Sequence, residues 1–100
     1  MKKITIEGKF IGSDNNFIIV DVFRSNAEPF PYDFRKSYTG DFKEVIKDLQ
    51  PDLSYSVDFT GFTTGKFELK ISGDFNEPNP VTDSFEKNSF SPGYLIKTVK

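Results

Sequence analysis

The sequence predicts a mainly β domain, an antiparallel sandwich of about five to seven strands with one short helix. Alternation of apolar and polar residues from Leu53 to Thr60, resuming from Lys66 to Ser72, is the main observation behind this reading. A second is the doubly apolar run Phe17 to Arg24, and a third is the one-sided helical stripe Phe42, Val45, Ile46 and Leu49.

The first element is an alternating strand, with Ile4, Ile6 and Phe10 on one face and Thr5, Glu7 and Lys9 on the other. Gly8 interrupts the apolar face and is expected to mark a bulge or sharp bend. The turn residues Gly12 to Asn16 follow, so the run Phe17 to Arg24 is expected to pair back on the first strand as a hairpin. Ile18, Val20 and Val22 share one side of this second run, and Phe17, Ile19 and Phe23 share the other. A strand apolar on both faces reads as central.

Pro29 and Pro31 open an extended stretch with Phe30, Tyr32, Phe34 and Tyr38 at even spacing, an edge strand or loop because Pro cannot donate to a central ladder. Residues 41–49 are then expected to be helical, with Asp41 and Glu44 at capping-box spacing and Pro51 as the stop. Leu53 to Thr60 and Lys66 to Ser72 read as two strands of a hairpin joined through Gly61 to Gly65. Residues 1–75 thus form the β core. Residues 76–100 are a turn-rich segment of the same domain, either supplying a last strand near Tyr94 or serving as an arm for a partner.

The segment Leu49-Gln50-Pro51-Asp52-Leu53-Ser54-Tyr55 resembles the corner of fibronectin type III and related immunoglobulin-like sandwiches, where a Tyr hydroxyl bonds back to the upstream backbone. That resemblance implies a Greek-key sandwich and a structural role for Tyr55, and it implies no activity. The order of elements also resembles the five-stranded oligonucleotide-binding (OB) barrel, which is the alternative fold.

Composition removes much chemistry. With no Cys and no His, there is no disulfide, no thiolate, no histidine metal ligand and no histidine general base. A net charge of -2 and a pI near 5.1 provide no positive field for a phosphate backbone. No Gly-rich phosphate loop is present, and no pair among the fifteen acidic residues stands out for glycoside chemistry. Asp74, Asn76, Glu77, Asn79 and Asp83 offer oxygen ligands for Ca²⁺, but they match no EF-hand spacing and read as turn formers. The echo of Thr39 to Glu44 in Ser72 to Glu77 is too short to define a repeat.

Polar residues interrupt the opening Met1 to Lys9, and the longest apolar run is Phe17 to Val20. Neither a signal peptide nor a membrane span is read, and a cytoplasmic location is expected.

No cofactor is expected, nor catalysis. The expected function is a protein-interaction or assembly module, such as an inhibitor, adaptor or structural subunit, whose partner is another protein or a second copy. Phe75, Phe85, Phe90 and Tyr94 are its candidate anchors, because they lie in turn-rich sequence with no obvious core to enter. The alternative is single-stranded nucleic-acid binding on Phe30, Tyr32, Phe34 and Tyr38 with Arg35 and Lys36, aided by Arg24, Phe62 and Lys66.

Overall fold

A computed structural model describes residues 1–24 and 33–100, with the backbone alone for Lys87. Among the described residues seven strands form one sheet: β1 (Lys2–Ile11), β2 (Asn16–Arg24), β3 (Phe34–Tyr38), β4 (Phe42–Leu49), β5 (Ser54–Gly73), β6 (Val81–Phe90) and β7 (Gly93–Lys97). All pairings are antiparallel.

The 20-residue strand β5 organises the rest. Along one of its edges β1 and β2 run in line, with Ile4 opposite Gly73, Ile11 opposite Lys66, Asn16 opposite Thr63 and Arg24 opposite Tyr55. Along the other edge β6 and β7 run in line, from Val81 opposite Ile71 to Lys97 opposite Ser54. Beyond β1 and β2 lie β4 and β3. The sheet bends midway, so β4, β1, the second half of β5 and β6 make one leaf, and β3, β2, the first half of β5 and β7 make the other.

Period-two side chains then bury one face throughout: Ile4, Ile6, Ile18, Val20, Val22, Tyr55, Val57, Phe59, Phe67, Leu69 and Ile71 form a single core between the leaves. The result is an all-β, nearly closed sheet, closer to the barrel alternative than to two separate stacked sheets.

Four local expectations are corrected. Residues 42–49 are a strand paired with β1, not a helix, and their helix-like spacing comes from a register shift in the β1–β4 ladder near Asp48, which has φ 65°. Phe42, Glu44 and Ile46 point inward at period two, and the extra residue turns Leu49 inward as well. The shift thus places Ile46 and Leu49 three apart, imitating a helical stripe, while Val45 points outward.

The expected hairpin at residues 61–65 is instead a bend within β5. Its glycines admit neighbouring backbone: a Cβ at Gly61 would lie 2.1 Å from Phe17 O, and one at Gly65 would lie 2.4 Å from Ile11 O. Gly61→Ala is therefore expected to lower unfolding free energy in urea by about 1–3 kcal/mol. Nor do β1 and β2 form a hairpin, because residues 12–15 are a bulge between collinear strands. There the fully buried Thr63 hydroxyl donates to Asn16 Oδ1 at 2.8 Å and accepts the Gly65 N–H at 3.1 Å.

Gly8 marks no bulge; it leaves room for the Phe42 ring, whose nearest carbon would lie 2.2 Å from a Cβ there. The Tyr55 corner has the expected bond, the Gln50 N–H donating to the Tyr55 hydroxyl at 2.8 Å. β3 is an edge strand and β7 is the expected last strand. The segment 76–100 also supplies β6, which its polar composition concealed.

Candidate functional site

The four residues expected to anchor a partner lie on the inner face. Phe75 is 4% exposed and bridges to Thr98. Phe85 and Phe90 stack at 5.3 Å, and Phe90 stacks on the buried Phe67 at 5.2 Å. Tyr94 meets Phe59 edge-on at 5.9 Å and donates its hydroxyl to Asp83 Oδ2 at 2.7 Å, from one leaf to the other. Burial, followed by that bond to Asp83, pushes the Tyr94 hydroxyl above the ordinary tyrosine range. The expectation that these rings lack a core is overturned, because β6 carries Phe85 and Phe90, β7 carries Tyr94 and the bridge to Thr98 holds Phe75 against the inner face.

The nucleic-acid candidates are similarly engaged. Phe34 and Tyr38 pack against the core from β3, and Tyr38 stacks on Phe42 at 3.9 Å. The Tyr38 hydroxyl is pushed up by burial and by the adjacent Glu44 carboxylate. Lys36 Nζ lies 2.9 Å from Glu44 and 5.5 Å from the Tyr38 ring centre, and its bond holds the Glu44 carboxyl below its ordinary value. Arg35 Nε sits 3.1 Å from Asp21, Arg24 lies 3.6 Å from Asp33 and Lys66 lies 3.4 Å from Glu68. Phe30 and Tyr32 fall outside the described residues. Among the described residues, the basic groups proposed for this site lie beside carboxylates, and Phe34 and Tyr38 are half-buried rather than splayed out for bases.

The other side of the sheet carries what the sequence reading passed over. Alternation along β2 turns Phe17, Ile19 and Asp21 outward, and across the ladder Phe17 faces Phe62, Ile19 faces Thr60 and Asp21 faces Asp58. Leu95 stands outward opposite Ser56. Phe17 is 37% exposed and Leu95 is 67% exposed, on a face that no described strand covers. The signal is present in the doubly apolar run of β2, whose two apolar faces read as those of a central strand.

At the centre of this face two carboxylates meet. Asp58 Oδ1 accepts from Ser56 Oγ at 3.0 Å and stands over Gly93, where a Cβ would lie 2.7 Å away. Burial raises the Asp21 carboxyl above its ordinary 3.8, Arg35 opposes the rise and Asp58 adds to it. A value raised by folding means that this contribution to stability is complete below the unfolded value and is lost as pH rises through the folded one. Asp21→Asn is accordingly expected to raise the melting temperature near neutral pH, with the gain disappearing below about pH 4. Melting curves across pH check this.

On the outer face of the other leaf lies an open basin of about 740 Å³, lined by Glu7, Lys9, Asp41, Glu68, Lys70 and Ser84 among others. Across its floor Glu7 faces Lys70 and Lys9 faces Glu68, so these four charges pair, while Asp41 and Asp83 leave the rim acidic.

Among the described residues no three His, Cys, Asp or Glu side chains gather to hold a metal, and no helix is long and apolar enough to cross a membrane. In the loop after β5, Asp74 Oδ2 accepts the Lys3 N–H at 3.1 Å, and Asn79 Nδ2 donates to Gly73 O and Phe75 O. These residues hold the turn together. No protein family, curated protein or solved structure gives a significant match to the chain.

Proposed function

We propose that the chain is a non-catalytic protein-interaction or assembly module that binds through the outer face of the leaf built from β3, β2, the first half of β5 and β7. The observation that carries this reading is the double apolarity of β2. Ile18, Val20 and Val22 satisfy the inner face by entering the core, while Phe17 and Ile19 repeat the pattern on the outside beside Phe62, with Leu95 further along the same face on β7. Apolar side chains grouped on one exposed sheet face lose their contact with water when a partner covers them, the usual source of interface energy.

The interface proposed is not the one expected from Phe75, Phe85, Phe90 and Tyr94, which serve the core. Nucleic-acid binding receives no support from the arrangement of β3, where Arg35 and Lys36 sit beside carboxylates.

Affinity capture from the native host should recover specific partners with the wild-type chain and lose them with Phe17→Ser combined with Leu95→Ser. Both positions face outward, so the double variant is expected to retain its β circular dichroism spectrum. Equal recovery of the same partners by both proteins would remove the reading.

A further inference from the structure

The proposed binding face has a charge pattern that specifies its partner. Asp21 and Asp58 are directly opposite one another, and among the described residues Arg35, at salt-bridge distance from Asp21, is the one cation paired with either, leaving an excess of one negative charge on a face that also carries Phe17, Ile19, Phe62 and Leu95. Like charges directly opposite on a sheet repel. A partner supplying a cation beside an apolar side chain would relieve that repulsion and cover the rings together.

The same chain presents such a surface elsewhere. On the outer side of the edge strand β4, Lys43, Val45 and Lys47 alternate, all exposed, with Val45 at 45%. Neither lysine has a carboxylate within 4.0 Å among the described residues, although Glu7 is the ladder neighbour of Lys43. The stripe has the same two-residue spacing as Asp21, Ile19 and Phe17 on β2, roughly 6.5–7 Å per step on any strand. Laid across one another, the two stripes place a lysine at the aspartate pair, Val45 on Ile19 and the second lysine over the Phe17 ring, a cation–π arrangement.

Resting on the proposed function, we infer that the partner on this face is a second copy of the chain, docked head to tail by the Lys43–Val45–Lys47 stripe. The two surfaces differ, so the contact is heterologous and propagates: every bound copy presents a fresh stripe and a fresh acidic face. A single stripe covers little area, so the association is weak and reversible, and its charged component is sensitive to salt.

Sedimentation velocity on the full chain tests this directly. The wild type should show concentration-dependent species larger than a monomer at about 0.01 M salt and revert toward monomer at about 1 M, where screening is far shorter-ranged. Lys43→Glu with Lys47→Glu, both exposed and without an ion-pair partner among the described residues, should weaken association roughly tenfold or more, and Asp58→Lys should do the same. Combining the three reversals in one chain should restore it. Should Asp58→Lys fail to fold, Asp58→Asn with the lysine variants still decides the matter.

A wild type that stays monomeric to about 1 mM at low salt overturns the inference. So does self-association that none of these changes alters. Either result leaves the interaction module standing if Phe17→Ser with Leu95→Ser still loses host partners, whereas self-association that the Phe17 and Leu95 changes leave intact removes both.

Discussion

Replacing Phe67 by Ala is expected to cost about 3–5 kcal/mol of unfolding free energy, the largest single-residue effect in the molecule. Phe67 is fully buried on β5 just past its bend, with ring centres of Phe10 at 4.8 Å, Phe90 at 5.2 Å, Phe59 at 6.2 Å and Phe42 at 6.5 Å. Those rings come from both leaves and from every side of the bend, so no single element can shift to fill the vacancy. A domain of this size has only about 5–15 kcal/mol in total. The variant should therefore unfold at a much lower urea concentration, and one losing less than about 1 kcal/mol would show that the rings repack freely. Phe67→Leu, which keeps most of the volume, should lose clearly less.

The second large effect is expected at Thr98, whose side chain is fully buried although polar. Its hydroxyl accepts the Leu53 N–H at 2.9 Å and donates to Gln50 O at 2.7 Å, while its backbone N–H donates to Leu53 O at 3.0 Å. Val99 adds a bond from Asp52 N at 3.0 Å and one to Asp74 O at 3.1 Å. The last residues thus tie the segment entering β5 to the segment leaving it. Thr98→Val keeps the shape and removes the hydroxyl, leaving Gln50 O and Leu53 N unpartnered in a largely closed space. The expected cost is about 2–4 kcal/mol, one desolvation penalty for each orphaned group. Thr98→Ser should retain most of the stability, and if Val were tolerated as well as Ser, the hydroxyl would have no part in closing this end.

These two residues show where sequence reading succeeded and where it stopped. Alternation placed Tyr55, Val57, Phe59, Phe67, Leu69 and Ile71 on one buried face, because side-chain period is a local property of an extended chain. The Tyr55 corner was legible for the same reason, its bond to Gln50 spanning five residues.

Register was not legible. The bulge near Asp48 made a strand resemble a helix, and Gly61 and Gly65 punctuate a bend as they would a turn, since glycine also serves close approach of backbone from distant sequence. Phe85 and Phe90 looked exposed because their neighbours are polar, and only the pairing of β6 with β5 brings Phe85 opposite Phe67. For the candidate face, the doubly apolar β2 was visible from the start. That Asp21 meets Asp58, thirty-seven positions away, is information carried by the ladder alone.

The placement of β5 between two collinear pairs has a bearing on how the polypeptide emerges from the ribosome. The β1–β2 path finds its main partner only after residues 54–73 have been made, and residues 81–97 complete the opposite border last. A nascent chain stalled before that point would carry Ile4, Ile6, Ile18 and Val20 without their cover, the kind of unfinished state that chaperones recognise. With contacts so remote along the chain, refolding should be slow for a molecule this small, on the millisecond-to-second scale of all-β topologies.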